Sequence, residues 1–304
     1  MSKLQKIITQ IKKEYWENKT SFLKAPLVLS LIILFIAFCS FSLFLYHSGQ
    51  ISDRAHQGNF SDLSKFTDSF VSDVFYVIAS PLMIILWLVL FNYFLGCLHN
   101  DRKDRSLLFW LSMPITHTES IIAKVITGLI IAPLFTWVCI IITEFICLIL
   151  LTLVALVLNI GMIGNLWPIG SILLTWGKML IAFYWQGLWL FPLFAWCILC
   201  SAYAKKSPFL TAILPIILIE IVERLFFHIN YISKAIALCF SHAFSIWINL
   251  FETIDYRDQA IQKYSVFTDN YHVNLQIDIV FGILIGLVFI VIAGFLRFRS
   301  FRFD

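Results

Sequence analysis

The chain has 304 residues, of which 60% are hydrophobic and 13% charged, with a formal net charge of +4 and a mean hydropathy of +0.88. Soluble domains carry about a quarter charged residues, so a water-soluble fold is excluded, and no long basic run offers a nucleic-acid surface. The seven cysteines, odd in number and scattered mostly through apolar stretches, give no disulfide framework, and Cys197-x-x-Cys200 lacks the second pair or the histidine that would complete a metal site.

Length is therefore better counted in bilayer crossings of roughly 20 residues each, of which about six fit. Residues 1–24 are read as a cytoplasmic amphipathic segment. Leu4, Ile7, Ile8, Ile11 and Tyr15 recur at helical spacing, with Lys3, Lys6, Lys12 and Lys13 largely elsewhere. That pattern predicts a helix over 3–22, lying on an anionic membrane face or packed on a partner protein. Some 24 polar-rich residues precede the first apolar run, which is too long for the core of a cleavable signal peptide.

Residues 25–304 read as a single all-α transmembrane domain. Apolar runs at about 25–46, 74–98, 121–158, 176–203, 209–227 and 275–296 predict six transmembrane helices. With both termini cytoplasmic, fifteen of the 22 Lys and Arg residues fall on the cytoplasmic side, as the positive-inside rule requires. Residues 48–73 and 229–274 then face outward. The third run is 38 residues long; at 1.5 Å per residue that is about 57 Å of helix against a hydrocarbon core of about 30 Å. One long tilted helix is expected, or one crossing with a partial re-entry. Pro81, Pro133, Pro192 and Pro215 fall inside these runs and predict kinked helices packed in a bundle.

Soluble-enzyme motifs are absent. There is no His-Glu-x-x-His and no Gly-x-Ser-x-Gly, and Gly177-Lys178 is followed by Met179 rather than the Ser or Thr of a phosphate loop. No residue is assigned a catalytic role, and the chain has no visible means of binding ATP.

The cytoplasmic loop 99–119 is the most informative stretch. Asp101, Arg102, Lys103, Asp104 and Arg105 form a mixed-charge head, followed by Leu107, Leu108, Phe109, Trp110 and Leu111. Charges beside aromatic residues suit docking into a groove on another protein; a short interfacial helix with Phe109 and Trp110 at the lipid headgroups fits equally. Thr116 and Glu119 form a capping box that starts the third helix.

The loop resembles the one between the second and third helices in permeases of type-2 ATP-binding-cassette (ABC) exporters. The resemblance is carried by Asp101-Arg102-Lys103-Asp104-Arg105-Ser106-Leu107-Leu108-Phe109-Trp110, followed by the Met113-Pro114 turn. Glu14-Tyr15-Trp16-Glu17, Ser21-Phe22, Ala25-Pro26, Ala132-Pro133, Pro208-Phe209 and Glu223-Arg224-Leu225 are similar to the same family. Asn100 and Leu111 depart from its pattern, standing where an acid and a basic or polar residue are expected. The resemblance implies an N-terminal amphipathic helix, six membrane helices and a cytoplasmic coupling helix. It also implies an outer or re-entrant element between helices five and six, for which Lys234–Leu250 is the candidate.

Two further sets of residues stand out. Glu220, Glu223, Arg224 and His228 interrupt the fifth apolar run, and charge inside a membrane is a functional-site hypothesis by default. Glu220, Arg224 and His228 share one helix face and the first two can pair, as a structural ion pair, a substrate or gate element, or a proton relay. Gly282 and Gly286 form a Gly-x-x-x-Gly in the last helix, a packing or dimer face.

The expectation is a membrane-spanning permease subunit of an ABC transporter, an exporter by resemblance. It would work as a homodimer or heterodimer of permeases in membrane lipid, with a cytoplasmic ATPase subunit carrying the ATP and Mg²⁺. Its location would be the plasma membrane of a prokaryote, the inner membrane in a Gram-negative cell. The rival readings are a proton-coupled secondary transporter, an intramembrane hydrolase and a non-transporting membrane scaffold.

Overall fold

The computed structural model describes residues 3–55, 63–103, 117–157, 167–227, 231–251 and 275–300. Every regular element among them is helical: α1 (Lys3–Lys19), α2 (Ala25–Ala55), α3 (Leu63–Lys103), α4 (His117–Ile126), α5 (Ala132–Val157), α6 (Ile169–Tyr203), α7 (Pro208–Val222), α8 (Tyr231–Phe251) and α9 (Leu275–Ser300). Three five-residue π-helical turns, Thr20–Lys24, Thr127–Ile131 and Glu223–Phe227, join α1 to α2, join α4 to α5 and extend α7.

Five helical stretches are long and apolar enough to cross a membrane: Gln5–Leu43, Asp73–Lys103, Thr118–Val157, Ile169–Tyr203 and Ile279–Arg297. The third apolar run becomes one unbroken helical path from His117 to Val157 with no re-entry. Its π turn is placed where the sequence requires a break in the ordinary bonding ladder. Ala132 donates its N–H to the Thr127 carbonyl, one residue further back than in an α-helix, and Pro133, which has no N–H to give, follows at once. Gly128 lies in this turn because a Cβ there would overlap the buried Phe94 ring.

The fifth apolar run is helical over its expected length but is not among these five stretches. Pro208 opens α7 at its first position, where a missing N–H costs nothing. The α-helical part ends after 15 residues, about 22 Å at 1.5 Å per residue, and continues as the Glu223–Phe227 π turn.

α6 is the central helix and the most buried of the five, whereas α2 and the last membrane helix are largely exposed. Phe75, Leu82, Leu90 and Phe94 of α3 form a core with Met179, Phe183, Leu190 and Phe194 of α6. Trp87 stacks on Phe194 at 5.9 Å. α8 runs antiparallel to α6: His242 stacks on Trp189 at 4.6 Å, and Trp247 meets Phe183 further toward the start of α6. The exterior carries Leu31, Phe35, Leu88, Phe281 and Val288, all exposed; such surfaces need lipid or another apolar partner.

The glycine pair of the last helix is turned onto α6 within the chain. A Cβ at Gly286 would lie 2.6 Å from Phe191 Cε1 and 2.7 Å from its Cδ1, whereas one at Gly282 would sit 3.7 Å from Pro192 Cγ. Gly286→Ala is therefore expected to destabilise the protein by about 1–3 kcal/mol through overpacking, and Gly282→Ala to stay within about 0.5 kcal/mol of the parent. Thermal unfolding of the two variants in detergent measures the difference; equal midpoints would show that the α9–α6 contact is not set at Gly286.

Candidate functional site

Four helices bring one charged side chain each to a common point: Glu14 from α1, Asp101 from the end of α3, Lys124 from α4 and Arg297 from the end of α9. Lys124 Nζ lies 2.8 Å from Glu14 Oε1 and 3.2 Å from Asp101 Oδ1. Arg297 Nη2 lies 3.0 Å from Asp101 Oδ2, and its Nη1 donates to Ser120 Oγ at 3.3 Å. Tyr93 donates toward Glu14 Oε2 at 3.4 Å and the Lys124 carbonyl at 3.3 Å. The charges alternate along the chain of contacts, so each ion faces its opposite. The side chains of Glu14, Lys124 and Arg297 are 4%, 3% and 8% exposed, which leaves little water to screen the pairs.

Beside this cluster is a cavity of about 440 Å³. Glu14, Glu17, Asn18, Asn92, Tyr93 and Asp101 line it together with Lys124, a polar wall in an otherwise apolar bundle. Tyr15 stacks on Phe135 at 5.0 Å and Phe22, in the following π turn, meets Tyr93 edge-on at 4.9 Å, so the chain just after Glu14 is held against the bundle.

The residue next to Asp101 is also used within the fold. Arg102 Nη2 donates to the Ser201 carbonyl at 2.5 Å and to the Ala204 carbonyl at 3.0 Å. These are C-terminal carbonyls of α6, where a cation is favoured. Ser201 Oγ accepts from the backbone N–H groups of Leu98 and His99, both at 3.0 Å. Lys103 is exposed. Asp104, Arg105, Phe109, Trp110, Met113 and Pro114, with Thr116 of the expected capping box, lie outside the described residues.

In the other expected site, Arg224 Nη2 lies 2.6 Å from Glu220 Oε1, with the side chains 61% and 28% exposed. Glu223 Oε2 accepts the Ile232 N–H at 3.2 Å, so this carboxylate ties the end of α7 to the start of α8. His228 lies outside the described residues. A further intramembrane acid is Glu144 of α5, fully buried, whose Oε2 accepts the Trp176 indole N–H at 2.6 Å.

No family model matches the chain, and comparison with curated proteins and with solved structures finds no similar protein. The chemistry open to the four-helix cluster follows from its geometry. Among the described residues no three His, Cys, Asp or Glu side chains gather as a metal site. The cluster binds four helices to one another through ions that would be costly to separate.

Sequence reasoning assigned Asp101 and Arg102 to a docking head and counted Lys124 and Arg297 only for topology. A signal for Lys124 was present. It is the single charge in Ser120-Ile-Ile-Ala-Lys-Val-Ile126, and a charge in such a run calls for a named partner. Nothing local points from Lys124 to Glu14, because the two meet only through the packing of α1 on α4.

Proposed function

We infer that the chain is the membrane-spanning permease subunit of an ABC exporter, driven by a separate cytoplasmic ATPase through the 99–119 loop. In this reading six helices cross the plasma membrane of a prokaryote, with Pro208–Phe227 as the fifth. Both termini and the loop face the cytoplasm. Two permeases work with two ATPase subunits, which bind the ATP and Mg²⁺.

The observation that carries the reading is the Asp101–Lys124 contact. Segment 104–116 connects the end of α3, just after Asp101, to the start of α4, and Asp101 and Lys124 bracket it in an ion pair of 3.2 Å whose lysine is buried. A push on that segment would reach α3 and α4 together, α1 through Glu14 and α9 through Arg297. The π turns at Thr20–Lys24 and Thr127–Ile131 lie just beyond Glu14 and Lys124. They suit hinges on which the α1–α4 pair moves relative to α2 and α5.

A proton-coupled secondary transporter is the second reading, favoured by the enclosed carboxyl of Glu144. Gentle purification of the native protein from its own membranes separates the two. The permease reading expects a cytoplasmic ATPase to co-purify, with vanadate-sensitive hydrolysis. Transport of a substrate in proteoliposomes by the chain alone, with no ATPase retained, would overturn it in favour of the second.

A further inference from the structure

A second cavity, about 500 Å³ in volume, lies between α6, α7, α8 and α9. Its wall is carbon almost throughout, with Trp189 and Trp196 of α6, Ile219 of α7, Ile232 and Ala235 of α8 and Gly282 of α9. The space has identifiable causes. Pro192 lies inside α6 at this level and interrupts its bonding ladder, and Gly282 presents no side chain opposite Pro192. One turn further along, Gly286 packs directly on Phe191, which fixes the two walls relative to each other. The volume falls in the range of small-molecule pockets, which favour the gaps between bundle helices.

Two observations define the occupant. Ile219 and Phe281, which border the cavity, are exposed on the apolar exterior, so the opening faces acyl chains rather than water. At one end the apolar wall gives way to charge. Glu220 follows Ile219 directly and pairs with Arg224, and Glu223 accepts the N–H of the cavity residue Ile232. Arg224 remains 61% exposed and so open to a phosphate, and the two carboxylates suit an ammonium group. A purely apolar ligand would leave this charged end unused; a zwitterionic amphiphile matches both parts.

We propose that this cavity binds one acyl chain of a zwitterionic phospholipid whose headgroup lies against Glu220, Glu223 and Arg224. The site rests on the cavity and its charged rim, and it stands or falls independently of the permease reading.

The test uses the full-length protein in nanodiscs containing phosphatidylethanolamine with a photoreactive diazirine midway along one chain. Irradiation is expected to place adducts on segments 189–196 and 232–239 about tenfold more often than on the lipid-facing segment 31–38 of α2. Ala235→Phe, which fills the volume of a few chain methylenes, should cut cavity labelling by about tenfold and leave α2 labelling unchanged. Arg224→Gln should lower labelling by the phospholipid but not by a headless diazirine alkane. Unlabelled phosphatidylethanolamine should compete in the native protein, a measurement that holds even if the cavity-filling variant misfolds. Cavity labelling no greater than that of α2, absence of competition, or equal labelling by the headless alkane would each overturn the proposal.

Discussion

Replacing Lys124 with Met is expected to destabilise the protein by about 3–5 kcal/mol, because it strips the cation from two carboxylates at once, of which Glu14 is buried. Glu14 would keep only Tyr93 as a neutral donor, and Asp101 would keep Arg297. The damage should fall mainly on Glu14, whose side chain is 4% exposed. Lys124→Met combined with Glu14→Gln removes that orphaned charge and leaves Asp101–Arg297 as a balanced pair. Most of the loss should therefore be recovered, as expected when both members of an ion pair are replaced together. Thermal midpoints by fluorescence-detected size exclusion, in one detergent, measure the cycle. A double variant as unstable as Lys124→Met, with Glu14→Gln harmless alone, would show that Lys124 acts through contacts other than Glu14.

The second large effect concerns coupling rather than stability, and it rests on the proposed permease role. In that reading, replacing Phe109 and Trp110 together with Ala is expected to abolish stimulation of the co-purifying ATPase while membrane insertion and the thermal midpoint stay unchanged. The chain carries no phosphate loop, so in an ABC permease energy from ATP would arrive through a protein surface. Aromatic anchors dominate the energetics of such surfaces, whereas Lys103, Asp104 and Arg105 should set orientation and encounter rate more than affinity. Asp101 and Arg102 are committed to contacts inside the bundle, so replacing them should lower stability as well as coupling. That split distinguishes Phe109 and Trp110 from Asp101 and Arg102. Full ATPase stimulation by the Phe109 and Trp110 double variant would remove the loop from the coupling path.

Periodicity made some elements legible and hid others. α1 was readable from the spacing of its leucine and isoleucines, yet its burial was not: Glu14 and Gln10 are buried, on a helix whose composition alone fits a membrane surface. The long run at 121–158 admitted two courses, because hydropathy cannot separate one tilted helix from a crossing with re-entry; packing against α2 and α3 and the π turn before Pro133 gave the continuous helix. Gly282 and Gly286 were equivalent by spacing and differ in what they touch, since only Gly286 faces the edge of an aromatic ring. The Glu220–Arg224 pair was foreseeable because both partners lie on one helix, four residues apart.

Amino-acid order alone establishes that the chain is helical and apolar enough to cross a membrane several times, and that it carries no phosphate loop, His-Glu-x-x-His or Gly-x-Ser-x-Gly. Those properties follow from composition and local spacing, which each segment carries alone. Only the tertiary packing brings Glu14, Asp101, Lys124 and Arg297 together, and sets Pro192 and Gly282 at an apolar cavity whose residue Ile232 bonds to Glu223. These arrangements depend on the relative rotation and depth of separate helices, set by how whole side-chain surfaces interlock, and no window along the chain contains that information.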